Sequence, residues 1–291
     1  MLDVFFITMG EEGSELNWER LSKFAPHAKR VDNVQGIFNV HKACAELSTT
    51  ENFWVVDADA WIVDGFNFMF EPDKKKLHWG IPETDCVLVW QSRNPVNGLE
   101  YGYGGVKLFP RAPFMKNLKW DIDLSTTIGR STVSMERVSC ETRFNASPKS
   151  AWIGAFRECA KLASLSMIKS KIRKAQRNEK FELETLLETF KESDTWNTEK
   201  GSVAHRVQSV LIHDRYKDES TIYRYWDEIE QCSHRRLIWT TVGWEEHNGK
   251  YAISGAQAGA KFGLIYADDL TTLNLINDWQ WLEKEFNNVT I

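Results

Sequence analysis

The sequence predicts an α/β fold: a doubly wound, mostly parallel β-sheet with a helical elaboration in the second half of the chain. Over the first 60 residues, apolar β-favouring runs alternate with segments of helical periodicity, a pattern typical of a parallel sheet covered by helices. From about Ser150 the apolar spacing becomes helical. With 291 residues the chain can form one large α/β domain or a core domain with one elaboration.

The predicted elements of the first half follow one another closely. Leu2–Met9 is an apolar run that ends before Gly10, and it predicts a buried first strand whose carboxyl end opens into a loop. Asn17–Phe24 carries apolar residues at helical spacing and stops before Pro26. The next predicted elements are a strand at Lys29–Asp32, a helix at Ile37–Leu47, and strands at Phe53–Val56, Cys86–Trp90 and Val106–Phe109.

The second half predicts mainly helices. Ala151–Asn178 reads as a long helix, and the stripe from Leu183 to Phe190 indicates another. Arg236–Val242 is a strand candidate, and the last helix is expected to end in Trp279–Leu282. We therefore divide the chain into a core at 1–150, a helical elaboration at 151–200 and a C-terminal part of the core domain at 201–291.

Cysteine spacing and hydropathy argue against several classes of protein. The five cysteines are scattered without a C-x-x-C pair, which argues against a disulfide framework and a cysteine zinc site. No apolar run approaches the roughly 20 residues of a membrane span. Met1–Gly10 is too short and too acidic for a signal peptide. We therefore expect a cytoplasmic protein with no membrane partner.

The chain also lacks the motifs of other common enzyme classes. It has no G-x-x-x-x-G-K-[ST], no G-x-G-x-x-G after a strand, no H-E-x-x-H and no G-x-S-x-G. Kinases, Rossmann oxidoreductases, zinc proteases and serine hydrolases thereby lose their main support. The net charge of −5 means that any polyanionic partner must meet a local basic patch.

The strongest chemical signal is a pair of acids at the end of a strand. Asp57 and Asp59 directly follow four apolar residues, so they are expected at the sheet edge where α/β proteins bind ligands. A second D-x-D, at Asp121 and Asp123, lies in a polar stretch and is expected to be a solvated edge or turn. The first pair is therefore the candidate site, and Trp61 beyond it is expected to wall the pocket.

Paired carboxylates at a crevice suit a hard divalent cation. Such a cation neutralises the charge of a nucleotide diphosphate when that group leaves. Mg²⁺ or Mn²⁺ fits this donor set, whereas zinc does not, because no Cys or His cluster is nearby. The alternative is that Asp57 only ends the strand and Asp59 caps the next turn.

Several longer patches carry a family resemblance. They lie at 30–36 (RVDNVQG), 55–61 (VVDADAW), 101–108 (YGYGGVKL), 141–145 (ETRFN) and 155–159 (AFREC). In these patches the chain resembles the TET-associated glycosyltransferases of phages and bacteria. It is also similar to the hydroxymethylcytosine arabinosyltransferases of T-even-type phages. The order of elements in the first 60 residues resembles the front half of GT-A glycosyltransferases.

The resemblance implies an activity and two substrates. It implies a metal-dependent, GT-A-like enzyme that uses Mn²⁺ or Mg²⁺ and moves arabinose or glucose from a UDP-sugar. The acceptor would be hydroxymethylated cytosine in double-stranded phage DNA, and the location the host cytoplasm. The core at 1–150 would then bind the nucleotide-sugar.

The resemblance also implies residue roles. The donor would be bound by Thr8, Asp32, Lys42 and Asp57, and the metal by Asp57 and Asp59. His247 is a candidate third ligand, although the resemblance would place an acid near Val242 and Gly243, where this chain has Glu245 and His247. Glu141 and Asp59 are the catalytic candidates. The resemblance implies that Gly104 and Gly105, the glycine turn, approach the acceptor sugar site closely. The other acceptor candidates come from their own chemistry, as aromatic or basic residues that could contact a base, a sugar or phosphates: Trp90, Arg93, Tyr103, Lys169, Arg173 and Arg177.

Other interpretations of these residues stay open. Glu141 and Arg143 can be a surface ion pair, and the aromatic residues near the glycine turn can belong to the core. The basic helical stripe at 169–177 can track phosphates or be a solvated face paired with the acids at 179–192. If it is solvated, the next basic residues beside the glycine turn are Arg93, Lys107 and Arg111.

Two rival functions remain as well. One is a glycosyltransferase that acts on a protein or glycan, and the other is a non-catalytic DNA-binding module with the same fold. Metal-dependent UDP binding separates the enzymes from the module.

Overall fold

The computed structural model of the protein describes residues 1–78, 80–95, 100–102, 104–117, 122–164, 166 and 248–289. The strands are β1 (Asp3–Thr8), β2 (Lys29–Asp32), β3 (Asn52–Asp57), β4 (Ala60–Ile62), β5 (Leu77–His78), β6 (Ile81–Pro82), β7 (Cys86–Arg93), β8 (Glu100–Tyr101), β9 (Val106–Pro110) and β10 (Ser131–Thr142). The helices are α1 (Ser14–Phe24), α2 (Ile37–Leu47), α3 (Ala112–Met115), α4 (Leu124–Thr127), α5 (Pro148–Ala163), α6 (Gly249–Ile265), α7 (Leu270–Leu273) and α8 (Trp279–Asn287).

The main sheet is curled and mostly parallel. Its strand order is β2-β1-β3-β9-β7-β10-β4, and β8 pairs with β7 outside this row. Five strands of the row run in the same direction, whereas β9 and β4 run against their neighbours. The predicted α/β class and the mostly parallel sheet are confirmed, and the arrangement is compatible with a Rossmann-like α/β fold.

Helices cover both faces of the sheet, as strand alternation predicts. Trp54 and Val56 of β3 point into one core cluster together with Leu21 of α1. Phe53 and Val55 point into the opposite cluster, where α2 and α3 pack. Since every one of these β3 side chains is fully buried, β3 is a central strand, and its carboxyl end can place a loop above the middle of the sheet.

A third cluster joins α5 to the end of the chain. Trp152 and Phe156 of α5 pack with Leu282 of α8. Helix α6 lies so close to α5 that a Cβ added at Gly259 would sit 2.1 Å from the Phe156 carbonyl oxygen. This close approach needs glycine, since a real Cβ cannot come so near to another atom. The C-terminal residues thereby form one packed unit with α5.

The structure corrects two sequence predictions. The last helix does not end in Trp279–Leu282: it begins at Trp279, because the Asp278 side chain accepts hydrogen bonds from the Gln280 and Trp281 amides as an N-cap. The twelve-residue strand β10 was missed, since its run STVSMERVSCET is largely polar.

Some predictions lie outside the described residues: the helix at 183–190, the strand at 236–242, and the part of the 151–178 helix beyond Ser166. The first part of the predicted 151–178 helix is confirmed by α5. No helix in the described ranges is long and apolar enough to cross a membrane.

Candidate functional site

Asp57 and Asp59 stand on a short acidic loop, residues 57–59, that is held from three directions. The Asp57 amide donates to the Gly105 carbonyl at 2.8 Å, and the Arg143 amide donates to the Asp59 carbonyl at 2.7 Å. Between them, the buried Asn17 side chain donates from Nδ2 to the Ala58 carbonyl at 2.7 Å. These contacts come from α1, from the residue that follows β10 and from the glycine turn, so tertiary structure fixes the loop.

The acidic loop lines a cavity of about 330 Å³ at the carboxyl ends of β1 and β3. This is the position at which open α/β sheets bind ligands. The opposite wall comes from α5, from the start of α4 and from residues between 276 and 282. The cavity therefore lies between the sheet and the helical unit at the end of the chain.

The cavity contains a close ion pair. The Lys107 ammonium on β9 lies 2.5 Å from Asp57 Oδ2, across the antiparallel pairing that sets Val55 opposite Lys107. The Lys107 side chain is only 11% exposed and that of Asp57 is 33% exposed. A lysine this buried needs a partner, and Asp57 supplies it.

Asp59 has no such partner among the described residues, since no described side chain donates to its carboxylate. Its pKa is raised from 3.8 to about 7, first because burial penalises the charged form and next because the Asp57 carboxylate repels it. Lys107 and Arg157 act in the opposite direction. Added positive charge in the cavity would favour the ionised form of Asp59.

These two carboxylates fit part of the ligand shell of a hard cation. Their donor set is oxygen only, as Mg²⁺ and Mn²⁺ prefer. In the described part of the chain, no three His, Cys, Asp or Glu side chains converge as a metal site. The predicted third ligand, His247, lies outside the described residues.

Thr8 is buried in the cavity wall. Its hydroxyl donates to Glu11 Oε2 at 2.6 Å, and the Met9 amide donates to the same oxygen at 2.8 Å. Glu11 therefore closes the loop after β1 and also lines the cavity. The sequence prediction did not include Glu11, because a single acid after a strand has no distinctive pattern.

Asp32 and Lys42, which were also predicted to bind the UDP-sugar donor, do not line the cavity. Asp32 lies beside Thr8 at the end of β2 but is exposed, and it accepts a 3.2 Å hydrogen bond from Arg30. Lys42 lies on the outer side of α2 and donates to Asn117 Oδ1 at 2.9 Å. Their predicted roles in donor binding stay predictions, and the cavity itself gives them no support.

A buried histidine was also missed by the sequence analysis. His41 lines the cavity, and its Nδ1 lies 2.8 Å from the Ile37 carbonyl oxygen. Because a carbonyl can only accept, Nδ1 carries the proton and Nε2 is the free acceptor. Burial lowers the pKa of His41 to about 4, so this imidazole is neutral near pH 7.

The wall opposite the acidic loop carries cations from α5. Arg157 donates from Nε to the Ile276 carbonyl at 2.9 Å and from Nη2 to Asn277 Oδ1 at 3.4 Å. Lys161 lies 3.6 Å from Asp123. Asp123 lies at a turn, as expected, because its side chain accepts a hydrogen bond from the Thr126 amide and caps the start of α4. The expectation that it is solvated was wrong: its side chain is 11% exposed and it lines the cavity. Asp121 lies outside the described residues.

The glycine turn lies against the acidic loop. A Cβ added at Gly105 would sit 2.9 Å from Ala60 Cβ and 3.5 Å from Asp57 Cβ. A Cβ at Gly104 would sit 2.6 Å from Ser92 Cβ. Both glycines thus let the chain approach β3, β4 and β7 closely, whereas the predicted place of this turn beside the acceptor sugar stays a prediction. Tyr103 lies outside the described residues.

Two predicted acceptor residues are engaged elsewhere. Trp90 is 4% exposed, and its ring centroid lies 4.4 Å from that of Trp54, which is the core role left open above. Arg93 pairs with Glu100 at 3.1 Å at the end of β7. The basic stripe of Lys169, Arg173 and Arg177 lies outside the described residues.

Glu141 and Arg143 form an ion pair of 3.6 Å. Glu141 lies opposite Trp61 in the pairing of β10 with β4 and does not line the cavity, whereas Arg143 does. Trp61 does not line the cavity either, contrary to the expectation that it walls the pocket. The guanidinium carbon of Arg143 instead lies 3.7 Å from the Trp61 ring centroid. Arg143 is thus the link between the cavity and the edge strand β4.

No protein-family model matches the chain, and no curated protein matches it either. The resemblance to TET-associated glycosyltransferases therefore stays a hypothesis that depends on the sequence patches themselves.

Proposed function

We propose that the chain is a metal-dependent glycosyltransferase of the GT-A type. It would transfer arabinose or glucose from a UDP-sugar to hydroxymethylated cytosine in double-stranded DNA. The observation that carries the proposal is the juxtaposition of Asp57 and Asp59 in a cavity at the carboxyl end of a central strand. The sequence patches that resemble TET-associated glycosyltransferases supply the substrates.

The cavity offers the groups that a nucleotide-sugar needs. Val34, Ile37 and Val40 form an apolar wall for a base. A cation held by Asp57 and Asp59 would stabilise the charge that develops on the diphosphate as the bond to the sugar breaks. The fork of Arg157 is fixed by two protein hydrogen bonds, so it can pair with phosphate oxygens at little cost in side-chain entropy.

Product analysis tests the proposal. Duplex DNA containing hydroxymethylcytosine is incubated with Mn²⁺ and one UDP-sugar at a time, digested, and examined by mass spectrometry. We expect the modified nucleoside to gain the mass of one pentose or hexose residue, and no gain with the Asp59→Asn variant. Transfer to protein or glycan but not to DNA would support the first rival function. DNA binding without metal-dependent UDP binding would support the non-catalytic module.

A further inference from the structure

Three arginines contact one short segment at the edge of the sheet. The segment is residues 59–66, which contains the edge strand β4. Arg143 contacts its start, Arg20 its middle and Arg137 its end. We call these three residues the arginine row.

Two members of the arginine row share one aromatic ring. The Arg143 amide donates to the Asp59 carbonyl, and its guanidinium carbon lies 3.7 Å from the Trp61 ring centroid. Arg20 donates from Nε to the Ile62 carbonyl at 2.8 Å, and its guanidinium carbon lies 5.0 Å from the same ring centroid. Trp61 thereby fixes two planar cations beside the acidic loop.

The third member extends the row. Arg137 is exposed on β10, donates from Nη2 to the Gly65 carbonyl, and lies 5.7 Å from the Phe66 ring centroid. The seven residues from Asp59 to Gly65 span at most about 20 Å. Measured along the axis of a duplex, that length corresponds to roughly six phosphates of one strand.

Two acids contact the three arginines of the row, so one net positive charge is left for a partner. Asp64 pairs with Arg20 at 2.7 Å but its side chain is 93% exposed, and Glu141 lies 3.6 Å from Arg143. Because Asp64 is open to solvent, its pair with Arg20 is weak and easily exchanged, whereas the Glu141–Arg143 pair is half-buried, with 27% and 36% of the side chains exposed. Burial lowers the pKa of Arg143, and the nearby Arg20 charge adds to that shift whereas Glu141 opposes it. The two guanidinium groups therefore repel each other, and a phosphate between them would relieve the repulsion.

The other basic residues considered for the acceptor also have local contacts, as the arginine row does, but they do not form a row beside the acidic loop. Lys107 neutralises Asp57. Arg111 donates from Nε to the Ala45 carbonyl at 2.7 Å, and Arg93 pairs with Glu100. In a chain of net charge −5, a nucleic acid has to find a local cationic feature. The arginine row has the charge, the planar groups and the position beside the cavity.

We propose that the arginine row is the surface on which the acceptor nucleic acid docks. Arg20 and Arg137 pair with phosphates, and the outer face of the Arg143 guanidinium stacks on a base at the mouth of the cavity. Arg143 side-chain exposure of 36% leaves that face accessible. This inference depends on the proposed function, because it takes the acceptor to be DNA.

Fluorescence anisotropy with labelled hydroxymethylated duplex DNA tests the surface. The double variant Arg20→Gln/Arg137→Gln should bind at least tenfold more weakly at low salt. Its plot of log affinity against log salt should be flatter by about 0.9 for each lost phosphate contact, or about 1.8 in all. Arg143→Lys keeps the positive charge, so the slope of log affinity against log salt should not change. It removes the planar guanidinium that stacks on a base, so the variant should bind DNA with an unpaired target base more weakly.

The matched control is Arg130→Gln, which removes an exposed arginine paired with Asp85 at 3.2 Å near the other end of β10. Thermal melting shows that each variant is folded. DNA binding by the double variant equal to that of the control, or no DNA binding by the parent chain, would overturn the inference. Metal-dependent UDP binding is measured on the same samples. If the double variant loses DNA binding but the parent shows no metal-dependent UDP binding, the docking surface is supported and the transferase is rejected.

Discussion

The Lys107 ammonium and the Asp57 carboxylate lie 2.5 Å apart on adjacent antiparallel strands. This pair occupies one oxygen of the acidic loop and leaves Asp59 as the carboxylate with no described side chain bonded to it. A metal ion entering the cavity would therefore meet one open ligand and one ligand shared with a lysine. The electrostatics of the site follow from this asymmetry.

Replacing Lys107 should change how strongly a metal stabilises the protein. In Lys107→Met, Asp57 and Asp59 lose the ammonium that pairs with Asp57, so the metal-free protein should be less stable and Mn²⁺ should stabilise it more. The increase in melting temperature on adding Mn²⁺ should be larger than in the parent. An equal or smaller increase would show that Lys107 does not compete with the cation.

Asp59→Asn should stabilise the metal-free protein only at higher pH. The folded-state pKa of Asp59 is about 7, above the value of 3.8 for a free Asp. The folded protein therefore keeps a proton that the unfolded chain releases, and its stability falls as pH rises from about 4 to 7. The asparagine side chain does not ionise, so the stability of Asp59→Asn should not show this fall with rising pH.

Melting temperatures at pH 5 and pH 8 measure this effect. At pH 8 the melting temperature of the variant should be higher than that of the parent in chelator, and lower than that of the parent in Mn²⁺. A difference between variant and parent that is the same at both pH values would contradict the raised pKa.

Asn17 should position the acidic loop. Asn17→Ala leaves the Ala58 carbonyl, which accepts its 2.7 Å hydrogen bond, without a donor in a buried place. The expected loss is about 1–3 kcal/mol of unfolding free energy, together with weaker Mn²⁺ binding. The matched control is Asn39→Ala, since Asn39 donates to the Gln35 carbonyl at 2.9 Å on an exposed helix start. Urea denaturation that gives equal losses for the two variants would argue against this role.

Arg157 should bind the phosphates of the donor and not its base. Arg157→Gln is expected to weaken UDP binding about tenfold or more and to leave uridine binding unchanged, while Arg157→Lys falls between. Competition by inorganic pyrophosphate measures the phosphate contact alone. Equal weakening of UDP and uridine would indicate a distorted cavity instead.

The sequence predicted the elements whose burial is simple and local. The first 57 residues gave the order of strands and helices, because β1 and β3 are apolar runs and α2 has a clear apolar face. Strand β10 was missed because its polar residues alternate with few buried ones. The strand β4 has only three residues, which is too short for any periodicity.

The candidate site was predictable only where it depends on strand ends. Asp57 and Asp59 follow a buried strand, so their place at the cavity follows from the α/β class. Lys107 was noted only as a basic residue near the glycine turn, since its contact with Asp57 requires the β3–β9 register. Asn17 and Arg157 reach the loop or the cavity from distant helices, and no local pattern indicates such contacts.

Calorimetry of UDP binding with and without Mn²⁺ tests the central claim most directly, namely that Asp57 and Asp59 hold a divalent cation against the donor diphosphate. We predict that the parent chain binds UDP at least tenfold more tightly with Mn²⁺ than with chelator, and that Asp59→Asn abolishes this difference while the protein stays folded. UDP binding that is absent in Mn²⁺, or is equally strong in chelator, or keeps its metal dependence in Asp59→Asn, would contradict the account.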